Sequence, residues 1–167
     1  ADLLSDRQVT FIPGDAEQLS FPSGQDLIVS CSALQWFVSP ELFFKRCNAL
    51  LSGHGYFAFS TFGKENLKEI AAVTGSGLHY YSLEELKKSL SMHYNIVTAG
   101  EERIRLTFAT PLDVLYHLKH TGVTAVCRQA WTKGDLQEFC DKYAKLFSCG
   151  NAVTLTYHPL YIIARKK

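Results

Sequence analysis

Asp26-Leu27-Ile28-Val29-Ser30, followed by Cys31-Ser32-Ala33-Leu34-Gln35-Trp36, is the stretch that decides the fold. Five residues without polar alternation and rich in branched side chains read as a strand covered on both faces, the habit of parallel sheets. Downstream, Ser39 and Pro40 sit at the cap and first position of a helix. Its apolar residues are Leu42, Phe43, Cys47, Leu50 and Leu51, and Gly53 closes it. Tyr56 to Ser60 follows as another buried strand, and upstream Val9-Thr10-Phe11-Ile12 is a β-rich tetrad stopped by Pro13-Gly14. Strand, strand, helix, strand is the grammar of a layered α/β sheet.

Further along, Leu67, Ile70 and Ala71 mark a short helix, and Ser82 with Glu85 forms a capping box for another through Leu90. Thr110, Pro111 and Asp113 start a third helix, ended by Gly122. Thr132 and Asp135 start a fourth, with its stripe at Leu136, Phe139, Cys140, Tyr143, Leu146 and Phe147. Ile104, Leu106 and Phe108 alternate with Arg103, Arg105 and Thr107, which predicts a strand with one wet face. Val153 to Ala164 predicts a long final strand whose Pro159 requires a bulge or an edge. No repeat, low-complexity stretch or linker interrupts the chain, so residues 1–167 are assigned to one domain.

The composition, 47% hydrophobic and 20% charged over 167 residues, is globular. No apolar run approaches the ~20 residues of a membrane-spanning helix, and Asp2 and Asp6 are unlike a leader peptide. The five cysteines are widely spaced and form no CxxC, and His117 with His120 is the only close histidine pair. Neither a disulfide framework nor a metal site is expected, and a reducing cytoplasm fits best. Residues 1–83 hold five basic against eight acidic side chains and residues 84–167 twelve against eight. The basic C-terminal half suits an acidic partner; neither a nucleic acid nor a membrane is expected as one.

Two places can carry chemistry. Gly14-Asp15-Ala16 follows a strand, where a carboxylate can accept from an adenine amino group; equally, Asp15 can bond its own backbone in a turn. Ser30 to Trp36 lies at the carboxyl end of a parallel strand, where ligands of such folds sit. There Gln35 offers a donor and an acceptor, and Trp36 a flat wall or a core residue. Arg128, Arg103 and Arg105 are the cations that could orient a carboxylate, although alternating arginines on a strand also mark a solvent face. Tyr157, His158, His117 and His120 read as packing or surface residues.

The blocks GDAEQLSF (14–21), DLIVSCSALQWF (26–37), GYFAFSTFGKENLKEI (55–70), YYSLEELKKSL (80–90), PLDVLYHLKHTGVTAV (111–126) and LTYHPLYIIARKK (155–167) resemble the malonyl-acyl-carrier-protein O-methyltransferases of biotin synthesis. The resemblance implies an S-adenosylmethionine-dependent enzyme with a Rossmann-like class I sheet and helical acceptor-site segments inserted before the last strand. The family's first two strands and glycine-rich loop are not in this sequence, so the resemblance implies a C-terminal part, one that could also be a folded piece without activity. It places Asp15 and Ala16 at the adenine, Ser30 near the methionine end, and Gln35 and Trp36 at the methyl-transfer site, with the segment from Tyr80 to Arg128 covering that site. A malonyl carboxylate is already ionised at neutral pH, so no general base is assigned and alignment carries the catalysis. The implied partner is malonyl-acyl carrier protein; a small carboxylic acid is the alternative acceptor. The implied strand order 3-2-1-4-5-7-6 leaves Asp26 to Ser30 with an open edge. Either Val9 to Ile12 pairs there, or two chains associate across it.

Overall fold

The computed structural model describes residues 10–122 and 131–167. Strand β1 (Gln25–Cys31) leads through a single 3-10 turn (Leu34–Trp36) to helix α1 (Pro40–Leu50) and strand β2 (Leu51–Phe62). Helices α2 (Lys68–Thr74) and α3 (Leu83–Leu90) precede β3 (Tyr94–Glu101) and β4 (Ile104–Phe108). Helices α4 (Pro111–His120) and α5 (Lys133–Phe147), the short β5 (Ser148–Cys149), β6 (Ala152–Tyr157) and β7 (Pro159–Lys166) complete the order.

One sheet has the order β1-β2-β7-β3, with β1 parallel to β2 and β7 antiparallel to both of its neighbours. That order reproduces the 4-5-7-6 half of the arrangement expected from the resemblance. The second sheet, β4-β6-β5, is antiparallel and lies within the segment inserted between β3 and β7. Phe43, Phe44, Phe57, Phe59, Leu160 and Ile162 build the first core between α1, α3 and one face of the large sheet. Tyr94 is buried in it, where its hydroxyl donates to the Phe44 carbonyl at 2.8 Å. Val114, Leu118, Phe139, Tyr143 and Leu155 build a second core within the insertion. Among the described residues nothing covers the other face of the large sheet at β1: Leu27 and Val29, which sit beside Tyr56 and Ala58, are 56% and 58% exposed.

Several expectations hold at the level of single hydrogen bonds. Ser82 with Glu85, Thr110 with Asp113 and Thr132 with Asp135 all form reciprocal capping boxes. Others are corrected. Val9 lies outside the described residues, and residues 10–12 form no strand: Phe11 and Ile12 are exposed and no described strand pairs with them, and a tetrad without a ladder to join does not hold an extended strand. The pairing of that tetrad with Asp26 to Ser30 therefore does not occur over residues 10–12. Helix α1 ends at Leu50 rather than Gly53, since Leu51 already pairs with Gln25. The Ser39 side chain makes no cap; the Glu17 carboxylate takes the N–H groups of Val38 and Ser39 instead, each at 2.9 Å. Strand β3 escaped the sequence pattern because Asn95, Thr98 and Gly100 break the apolar alternation and a register shift falls between Ile96 and Thr98.

The final long strand is two strands in two sheets. The chain leaves the small sheet at Tyr157, passes through His158 and enters the large sheet at Pro159, which stands first in its strand where a missing N–H is tolerated. His158 is 3% exposed, and three contacts fix it. Its backbone N–H donates to Asn66 Oδ1, its Nδ1 accepts the Glu65 N–H, and its Nε2 faces Glu101 Oε2, all at 3.2 Å. The Nδ1 contact makes Nε2 the nitrogen that carries the hydrogen.

Gly63 lies against this ring: a Cβ there would stand 2.6 Å from two His158 ring atoms. A ring held at both nitrogens cannot step aside, so Gly63→Ala should destabilise the protein by about 1 to 3 kcal/mol, the usual cost of overpacking. Urea unfolding measures it, and an unchanged midpoint would show that the crossing yields.

Around the crossing, Arg103 bridges Glu65 and Glu101, and Lys68 pairs with Glu65 at 2.9 Å. The hydrogen bond from Arg103, with that from Lys68, holds the Glu65 carboxyl down at about 2, and Arg103 also lowers Glu101. A depressed carboxyl stabilises the fold above its ordinary value, and that stabilisation is lost as pH falls through the folded value. The thermal midpoint should therefore drop between about pH 5 and pH 2, and the drop should be smaller in Glu65→Gln. Identical pH profiles for the two proteins would remove this network from the acid response.

Candidate functional site at the strand ends

The carboxyl ends of β1 and β2 converge on one loop. Beyond Cys31, Ser32 adopts a left-handed backbone (φ +50°), and its N–H returns to the Ser60 carbonyl at 3.0 Å. The chain then folds into the single turn Leu34–Trp36, pinned by buried Leu34. Gln35 is consumed by this turn. Its amide nitrogen donates to the Ser32 carbonyl, and its amide oxygen accepts from the buried Thr61 hydroxyl at 3.1 Å. Trp36 is 52% exposed and is not a core residue.

Along the outer edge of β1, lined from both faces of the strand, a cleft of about 480 Å³ brings Ala16 and Ser30 together with Ile28, Val29, Ala33 and Phe37. Asp15 does not line it. Its Oδ1 accepts the Glu17 N–H at 2.9 Å and its carbonyl accepts from Gln18 and Leu19, so the side chain caps its own turn. Glu17 and Arg46, the latter bonded to the Leu19 carbonyl, clip the segment that carries Asp15 and Ala16 to α1.

On its other side the loop borders a narrow crevice lined by Leu34, Gln35, Thr61, Phe62, Tyr80 and Tyr81. Tyr80 accepts a hydrogen bond from buried Asn66 at 3.1 Å, and burial raises the pKa of its phenol. Arg103 is committed to Glu65 and Glu101, and Arg105 is exposed on β4, so neither faces the crevice. Arg128 lies outside the described residues. Thr61, Tyr80 and Glu17 were missed in the sequence. Thr61 had a readable signal: a hydroxyl in the core-facing series Phe57, Phe59, Thr61 needs a partner. Glu17 and Tyr80 carried none, since each acts on residues distant in the chain.

The comparisons fit this geometry. The family described as "Methyltransferase domain" matches residues 1–59. A protein assigned as a methyltransferase from Bacillus halodurans shares the fold with a TM-score of 0.66 at 17% identity, over 97% of this chain and 73% of that one. The YcgJ protein of Bacillus subtilis does so with a TM-score of 0.55 at 15% identity, over 92% and 69%. The fold is therefore that of a methyltransferase. Among curated relatives, the malonyl-[acyl-carrier protein] O-methyltransferase of Bacteroides thetaiotaomicron is 56% identical over 99% of this chain and 67% of its own length. That of Bacteroides fragilis is 58% identical over 99% of this chain and 34% of its own length, and that of Haemophilus influenzae 42% identical over 93% and 60%. The chain belongs to the malonyl-[acyl-carrier protein] O-methyltransferase family, and it spans about one third to two thirds of the length of these relatives.

If Gln35 braces the loop through Thr61, then Thr61→Val, which keeps the shape and removes the donor, should cost about 1 kcal/mol or more and shift the emission of Trp36 in the Trp131→Phe background. Thr61→Ser should preserve both. A Thr61→Val protein with native stability and emission would leave Gln35 unbraced.

Proposed function

We propose that this chain supplies the acceptor side of a methyltransferase that moves a methyl group from S-adenosylmethionine to the free carboxylate of a malonyl group on acyl carrier protein, a cytoplasmic step of biotin synthesis. The observation that carries the reading is identity of 56% and 58% across 99% of the chain to enzymes of that name. The strand-end loop and the inserted segments lie within the matched region.

The residues fit one end of such a cofactor. The cleft beside β1 offers apolar walls at Ala16, Ile28 and Phe37 for a ring and the Ser30 hydroxyl for a polar contact, with Asp15 at its margin in the adenine role. When bound, S-adenosylmethionine supplies a sulfonium-activated methyl: a carboxylate oxygen forms the new O–C bond as the C–S pair leaves on sulfur, with no proton transferred. The protein is left with alignment. Gln35 holds the loop between cleft and crevice from within and stays off the acceptor, while Trp36 stands at the rim and sheds water from the approach. Arg128 remains a candidate for the carboxylate.

The carrier would meet the basic half of the chain. Lys87 is spoken for by Glu84 at 2.8 Å, whereas Lys88 lines a groove of about 380 Å³ between α1 and α3, and Lys119 and Lys133 are exposed at helix ends.

Methyl transfer by the full-length gene product should proceed with malonyl-acyl carrier protein and fail with the acetyl form, which has no free carboxylate. Charge reversal at Lys88 and Lys119 should weaken carrier binding several-fold at low salt, and that difference should shrink as salt screens it. Equal transfer to a free small carboxylic acid, with indifference to the lysines, would assign the chain to a different acceptor.

A further inference from the structure

A polar group that neither the sequence pattern nor the family relationship assigns lies where the insertion meets the large sheet. Tyr157 Oη, on the last residue of β6, is 2.9 Å from His117 Nε2 in the final turn of α4. Their rings meet edge to face at 5.8 Å. Phe108 flanks His117 at 5.1 Å, and Phe62 flanks Tyr157 at 6.2 Å. Phe62 is also a wall of the crevice beneath Gln35, and so is Tyr80. The Tyr80 phenol is set by Asn66, which is itself buried and held through its Oδ1 by the backbone of His158. Two phenols and an imidazole thus converge around one phenyl ring beside the strand ends.

The chemistry of these groups is specific. Burial raises the pKa of both phenols, and the neighbouring Tyr157 adds to the shift at Tyr80. Both hydroxyls therefore keep their hydrogens at neutral pH and can donate. Each oxygen already has a protein partner: Tyr80 accepts from Asn66, and Tyr157 can accept from His117 in the tautomer that carries Nε2–H, which leaves each phenol its own hydrogen to give. The guanidinium of Arg103 and the ammonium of Lys64, from the same stretch of structure, are taken up by Glu65, Glu101 and Glu85.

We propose that Tyr157 and Tyr80 seat the carboxylate of the methyl acceptor, with His117 as a positioning residue whose Nε2–H donates to Tyr157 Oη and turns the phenol hydrogen toward the ligand. The inference rests on the acceptor reading above and names the groups that recognise a carboxylate at the end of a short acyl thioester. Hydroxyl donors suit this ligand. A bidentate guanidinium occupies both oxygens and draws charge from them, whereas a phenol on one oxygen leaves the other free to attack.

The test uses the full-length gene product and two probes, malonyl-pantetheine and its methyl ester, followed by calorimetry. The acid should bind at least about fivefold more tightly than the ester, as expected for a hydrogen bond to a charged group. Tyr157→Phe should lower affinity for the acid about tenfold and leave the ester unchanged, and Tyr80→Phe provides a second arm with the same expected loss. His117→Phe should match Tyr157→Phe, while His117→Gln, whose amide can still donate, should restore most of the preference; a merely structural histidine would not separate acid from ester in this way. Equal binding of acid and ester, or an acid preference that survives both tyrosine variants, overturns the seat. Methyl transfer on the same samples separates the two readings. Transfer that continues with an acid preference indifferent to both tyrosines sinks the seat and spares the methyltransferase. A tyrosine-dependent acid preference without any transfer does the opposite.

Discussion

His158 is the point through which both sheets are tied, and the geometry of the site depends on it. One continuous segment provides the central strand of the small sheet and an interior strand of the large one, and only His158 separates them. A chain that changes sheets in one residue must satisfy its backbone there without a ladder on either side. The Gly63 N–H bonds to the His158 carbonyl, the His158 N–H to Asn66 Oδ1, and the Glu102 N–H to the Pro159 carbonyl. The ring adds Glu65 and Glu101. Because Asn66 also sets Tyr80, the crossing and the wall of the crevice share one residue, and a shift at the crossing is a shift at the site.

Below the crossing, the insertion is anchored by a second buried polar contact. Glu69 on α2 is almost wholly buried, and its carboxylate accepts the Thr156 hydroxyl, at 2.6 Å, and the Thr156 N–H, at 3.0 Å. Hydrogen bonds to a charged acceptor are the stronger kind, and their loss would strand a carboxylate in the second core. Leu67 enters α2 through a left-handed backbone and bonds to the Thr156 carbonyl. Helix α2 is thus bound to β6 one residue before Tyr157, which fixes where the phenol stands relative to Phe62.

What could be read in the sequence was what is local. The caps at Ser82, Thr110 and Thr132, the run Asp26 to Ser30 and the alternation over Ile104 to Phe108 all act within a few residues, and each stands where expected. The site was legible as a place and not as a set of roles. Ser30 and Ala16 do share a cleft, but Gln35, which looked like a ligand-binding amide, is tied at both ends by Ser32 and Thr61. Its partner Thr61 lies 26 residues away on another strand, and a single sequence does not display such pairings. The same limit hid the partnership of His117 and Tyr157, 40 residues apart. Tyr157 and His158 read as packing residues, and both do pack, Tyr157 half-buried between Phe62 and His117 and His158 almost wholly buried; their polar partners were not legible.

Charge distribution adds a last constraint on what such a site can accept. Near the crevice the described cations are paired: Lys64 with Glu85, Lys68 with Glu65, Arg103 with Glu65 and Glu101. These pairs are at least one-third exposed on their cationic side, where an ion pair contributes little to stability. Their effect at the site is to neutralise the guanidinium and ammonium groups that would otherwise clamp an incoming anion. A carboxylate held by a full cation is a weaker nucleophile than one held by a neutral donor, because the transition state spreads the charge that the cation is binding. With alignment as the only demand that methyl transfer makes of the protein, the seat proposed above, phenols and an imidazole beside a braced loop, is one in which none of these described cations clamps such a nucleophile.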